Sequence, residues 1–173
     1  MFFEHLIQRL KCIGDSRISY ELIRLFSPVW SRFRTCAHSS AGLVIKTSSS
    51  ALAKTGSAIF HYTVKGKKGR IAAGTDMPAL VGTVTNAMFN VFVFTVDEAG
   101  NKYVQMGTEA ATEAAVRWPT LDAERCLIGY LVINPTGTGN FVGGTTALDD
   151  GTVAPNTAYV SPVGMWDTTA AID

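Results

Sequence analysis

Met88-Phe89-Asn90-Val91-Phe92-Val93-Phe94 is apolar at odd and even positions alike, with Asn90 as the one polar interruption. Successive side chains of a strand point to opposite faces of its sheet. A strand built this way therefore has no face to offer water, and it must be covered on both sides or lie at an interface. Phe89, Val91, Phe92 and Phe94 are accordingly the candidates for the core or for an oligomer interface.

Working outward, Asp97-Glu98-Ala99-Gly100-Asn101 has the composition of a hairpin turn and leads into a second apolar run at 102–106. Further strands are expected at 43–46, 58–64, 70–73, 126–133, 140–142 and 158–162, each bounded by glycine, asparagine, proline or serine. Lys65-Gly66-Lys67-Lys68-Gly69 reads as the turn between two of them. The alanine-rich stretch 110–116 reads as a helical turn ended by Trp118-Pro119, because the residue before a proline is disfavoured in helix. Surface loops are expected at 134–140 and 143–156.

The first forty residues differ in kind. Phe3, Leu6, Ile7 and Leu10 recur at helical spacing among Glu4, Gln8, Arg9 and Lys11. Gly14 suits a helix end, and a second stripe follows in Ile18, Leu22 and Leu25. Ser27-Pro28 is a cap and first-turn pair for a third helix carrying Trp30. The division is a helical arm, residues 1–40, and a β-rich domain, residues 41–173. The fold expected is all-β, an antiparallel sandwich or barrel of short strands carrying that arm. Short isolated helices are marginal in water, so Phe3, Leu6, Ile7, Leu10, Leu22, Leu25 and Trp30 are candidates for contact with a receiving surface.

Bulk properties bound the function. Apolar residues are 47% and charged residues 17% of 173 residues, which suits one folded domain with an appendage. The formal net charge of +1 gives no global basic field, so nucleic acid is not the expected partner. Cys12, Cys36 and Cys126 are widely spaced and unaccompanied by zinc-ligand patterns, which reads as reduced thiols in a chain made in a cytoplasm. No apolar run is long enough for a bilayer, and Glu4, Arg9 and Lys11 interrupt the N-terminus as no secretory core tolerates, so neither a membrane span nor export is expected.

Chemistry is sparse. No nucleophile elbow, zinc-protease helix or phosphate loop occurs. Gly137, Gly139 and Gly143 miss the dinucleotide spacing by one residue and lead into Phe141-Val142 rather than a helix. His61 alternates with Phe60 and Tyr62 and belongs on a sheet's polar face. Asp149-Asp150-Gly151 is a turn rather than a calcium loop. Lys65 to Arg70 is a solvated hairpin tip, and the carboxylates Glu109, Glu113, Asp122 and Glu124 lack the enclosed setting that glycoside hydrolysis requires. No enzyme activity and no cofactor are expected.

Residues 42–164 nevertheless carry an ordered set of motifs. These are Val44-Ile45-Lys46-Thr47-Ser48, Phe60-His61-Tyr62-Thr63-Val64-Lys65-Gly66, Val93-Phe94-Thr95-Val96-Asp97-Glu98-Ala99-Gly100-Asn101, Gly107-Thr108 and Trp118-Pro119. Cys126-Leu127-Ile128-Gly129-Tyr130-Leu131-Val132 and Phe141-Val142-Gly143-Gly144-Thr145-Thr146-Ala147-Leu148 complete it. In order and spacing the set resembles the head-associated structural proteins of tailed bacteriophages, of the capsid decoration, cement or head-fibre type. The resemblance implies a β-rich domain, a place in the virion, the major capsid protein as partner and a homo-oligomer, a trimer; it implies no catalytic residue. The alternative is a fibre-tip module recognising host glycans, which needs Trp166, Tyr159 and Asp149 clustered towards solvent in the late loops.

Overall fold

The computed structural model of the chain describes residues 35–164. These are nearly all β, in several antiparallel sheets. The arm residues Phe3, Leu6, Ile7, Leu10, Leu22, Leu25 and Trp30 lie outside the described residues.

The central sheet has four strands in the order β11 (Ala158–Val160), β9 (Cys126–Ile133), β7 (Asn90–Val96), β8 (Lys102–Met106). A second sheet joins β1 (Cys36–Ala37), β4 (Phe60–Val64) and β5 (Lys67–Ile71). Two ribbons, β2 (Val44–Ile45) with β3 (Ala53–Lys54) and β6 (Thr83–Val84) with β10 (Phe141–Val142), complete the architecture.

Every residue of β7 and β9 is buried, as the doubly apolar run requires. Phe92, Phe94 and Val96 point into the main core with Phe60, Val64 and Phe141. Val91 and Val93 point the other way, into a second cluster with Tyr130, Val132 and Val116. The cover on that face comes from this chain itself: residues 108–121 lie across it, tied at Phe89–Ala110 and Thr108–Arg117, with Trp118 edge-on to Tyr130 at 4.7 Å. Phe89 is half-buried at the rim of this cluster. The alanine-rich stretch makes only a 3-10 turn, Glu113–Ala115. Its role as a flat lid over valines and tyrosine outweighs local helix propensity.

Uninterrupted apolar sequence in β9 would leave its two faces undefined, and a bulge resolves this. Phe94 pairs with Gly129 but Thr95 pairs with Leu127, so Ile128 is the extra residue. It switches the alternation, which lets Cys126, Ile128, Leu131 and Ile133 all face the main core. Gly129 is required at the bulge, because a Cβ there would lie 2.5 Å from the Val160 carbonyl oxygen and 2.7 Å from Leu43 Cδ1.

Several strand ends differ from the sequence reading, and two of the differences bear on the architecture. The turn expected over 65–69 is only Lys65-Gly66, both at positive φ, so β5 starts at Lys67 rather than at 70. A two-residue turn of that kind matches the strand twist and lets the pairing run to the corner. The second correction concerns the arm: residues 35–40, assigned to it, belong to the β domain. Cys36 and Ala37 pair with Thr63 and Tyr62, and Ala37 is buried in the main core. On its other side Ala37 exchanges two hydrogen bonds with Gly164, at 2.8 and 3.1 Å.

Replacing Phe92 by Ala should destabilise the fold by about 3–5 kcal/mol, the cost of emptying a fully buried aromatic site; denaturant unfolding with an unchanged midpoint would remove Phe92 from the core. Deleting residues 1–34 should leave the melting temperature of the β domain nearly unchanged, whereas deleting 1–40 should lower it markedly through loss of β1. Equal melting temperatures for the two truncations would return 35–40 to the arm.

Candidate functional site

The densest grouping of charged side chains among the described residues sits at one end of the two sheets. Three turns meet there: Lys65-Gly66 between β4 and β5, residues 97–101 between β7 and β8, and residues 122–125 before β9. They line an open depression of about 260 Å³ formed by Lys65, Asp97, Glu98, Tyr103, Asp122, Glu124 and Arg125.

Asp97 organises the hairpin. Its Oδ1 accepts the main-chain N–H groups of Ala99 and Asn101, and its Oδ2 accepts Asn101 Nδ2 at 2.9 Å and Tyr103 Oη at 2.8 Å. The Asn101 amide, then the Tyr103 hydroxyl and the two N–H groups, favour the ionised form and hold the carboxyl at a pKa of about 2. Arg125 stacks on the Tyr103 ring at 3.7 Å from its centre and reaches Asp122 at 3.5 Å. Lys65 bridges to Glu124 at 2.6 Å and Lys67 to Glu98 at 3.5 Å. Chemically this is a network of three ion pairs and one hydrogen-bonded carboxylate that locks three turns together. A carboxylate held ionised at neutral pH accepts hydrogen bonds and is not a proton donor.

Other carboxylates are spent on the backbone in the same way. Glu109 accepts the Thr85 N–H and hydroxyl, both at 2.9 Å. Asp150 accepts the N–H groups of Thr152 and Val153. Asp149 turns both oxygens to the Ser49 N–H at 3.0 Å. Tyr159 is half-buried against the main core, and burial, with Asp149 nearby, pushes its hydroxyl up to about 12. Asp149 is exposed and lies near Tyr159, two of the three residues that glycan recognition was expected to use, and Trp166 lies outside the described residues.

Among the four core or interface candidates, Phe92 and Phe94 share the main core, Val91 lies in the second cluster and Phe89 packs at its edge. Burial raises the pKa of Cys126 to about 12, and Cys36 is a partly exposed free thiol. Among the described residues no group of three or more His, Cys, Asp or Glu is placed to hold a metal. The convergence of the three turns was not foreseen. Their charges are legible in the sequence, but their meeting depends on the packing of β4 against β9. No family model matches the chain, and no curated protein or solved structure matches it.

Asp97 has a folded-state pKa below its ordinary value of 3.8. Its stabilising contribution is thus complete above about pH 4 and lost as the pH falls towards 2. The gap in melting temperature between the wild-type chain and Asp97→Asn should be constant at pH 5 and above and shrink between pH 4 and 2. A gap that persists undiminished at pH 2 would show that the carboxylate's ionisation is not what holds the hairpin.

Proposed function

We propose that this chain is a non-enzymatic structural protein of a tailed-bacteriophage virion, which decorates or cements the capsid by binding the major capsid protein. In this reading the β domain is a sandwich carried on a helical N-terminal arm, it works as a homotrimer, and it is made in the bacterial host's cytoplasm before joining the particle. The observation that carries the reading is the antiparallel Ala37–Gly164 pairing. Antiparallel neighbours run in opposite senses, and this pairing sets the two ends of the described residues side by side. Both ends of the described domain thus sit at one place, an arrangement suited to a module held to a surface by an arm.

Two further facts support it. The described carboxylates that make the closest contacts cap turns or close ion pairs. The motif order that resembles head-associated proteins runs through the elements that build the two sheets. Adhesion of this kind needs area rather than a cleft: about 1,600 Å² of buried surface per joint gives stable attachment.

Mass spectrometry of purified particles tests the proposal. The chain should be present at a copy number commensurate with the capsid lattice and should be released as a trimer by light scattering. Its absence from the particles, or turnover of a host glycan by the purified chain, would overturn the reading.

A further inference from the structure

The outer face of the β1–β4–β5 sheet is cationic in a domain that is otherwise acidic. Residues 1–34 hold six of the fifteen Lys and Arg and three of the fourteen Asp and Glu. The remainder therefore carries nine cations and eleven carboxylates (15 less 6, 14 less 3). Yet β1, β4 and β5 contain no carboxylate at all.

Strand alternation sorts the side chains of this sheet. Phe60, Tyr62 and Val64 face the main core, so His61 and Thr63 face outward. Arg70 stands opposite His61, and Lys68 opposite Thr63. Cys36 is opposite Thr63 on the other flank, and His38, two residues on, is hydrogen-bonded to Thr63 Oγ1 through Nε2 at 2.5 Å. Directly opposed residues are about 5 Å apart and alternate residues along a strand about 7 Å. Lys68, Arg70, His61 and His38 thus form one compact exposed array. The nearby carboxylates do not serve it: Glu124 and Glu98 are engaged by Lys65 and Lys67 at the turn. Among the described residues no carboxylate lies within ion-pair distance of Lys68 or Arg70.

We infer that this face is the part of the folded domain that docks on the coat, and that the surface receiving it is an acidic patch of a coat subunit. The inference rests on the capsid-binding reading and adds to it which side of the domain faces the shell. Two observations select this occupant. The face is complementary to negative charge, and it is continuous with the arm, because β1 is the strand into which the arm runs. Arm and face share a sign: Arg9, Lys11, Arg17, Arg24, Arg32 and Arg34 exceed Glu4, Asp15 and Glu21. Cations on an edge strand such as β5 also prevent edge-to-edge pairing of sheets. That role is met by a charge of either sign and does not call for a face cleared of carboxylates across three strands. Charge reversal separates the two roles.

The test uses full-length chain and capsids purified without it, with binding read by co-sedimentation at several salt concentrations. Wild-type binding establishes the capsid-binding reading; if wild-type chain does not bind, that reading fails whatever the face does. Given wild-type binding, Lys68→Glu/Arg70→Glu should weaken it at least tenfold near 0.15 M ionic strength and flatten its salt dependence, with the melting temperature and oligomeric state unchanged. Lys54→Glu/Lys102→Glu, reversing two cations off this face, should bind like wild type. Equal loss in both double variants would reduce the effect to net charge and overturn the inference, as would undiminished binding by Lys68→Glu/Arg70→Glu. A single-stranded DNA oligonucleotide is the control ligand: if it binds wild type as tightly as capsids do and is lost in the same variant, the face is a nucleic-acid surface instead.

Discussion

Burying both faces of the β7–β9 pair is the constraint on which the rest of this structure depends. All fifteen positions, seven in β7 and eight in β9, are shut off from water, and each large apolar side chain hidden there contributes about 1.5–3 kcal/mol relative to exposure. Two covers are therefore needed. One is the second sheet with its two ribbons, which brings Phe60, Val64, Val84 and Phe141 onto Phe92 and Phe94. The other is a crossing segment, 108–121, too short and too irregular to be a layer of its own, which closes the far face with Val116 and Trp118.

The polar chemistry of the domain follows from the same constraint. Covers made of loops have many main-chain N–H groups with no ladder partner, and short acidic side chains supply acceptors locally. Asp97, Asp149, Asp150 and Glu109 all do so. Carboxylates committed in this way are structural latches. The cations are distributed differently: those at the turns are matched by acids, while Lys68 and Arg70 stand on a sheet face where no carboxylate of the described residues pairs with them. Charge is thus segregated on a molecule whose net charge is close to zero.

How much could be read in advance differed by element, for physical reasons. The strands 102–106 and 126–133 were legible to the residue, because strong β-branched and aromatic runs between turn residues leave few alternatives. The two-residue strands at 36–37, 53–54 and 83–84 were not, since two residues cannot display an alternation and form only where a neighbour offers hydrogen bonds. Residues 65–69 misled in the other direction. Two lysines and a glycine look like a loop, yet β4 supplies the ladder that holds them extended. The acidic and basic turns were visible singly; the cluster they form and the cationic face were invisible, because both join residues far apart in the chain.

By itself the sequence determined that the domain is β, where its strongest strands run, and that Met88 to Phe94 has no polar face to expose. It determined this because side-chain polarity and strand period are local properties. Only the tertiary structure decided what covers that strand, since a neighbouring molecule and the chain's own 108–121 segment would satisfy an apolar face equally well. The same holds for the bulge at Ile128, which sets the faces of β9, and for the junction at Ala37 and Gly164. Each is a relation between segments that approach only once the core has closed, and the hydrophobic effect that drives the closing is non-directional.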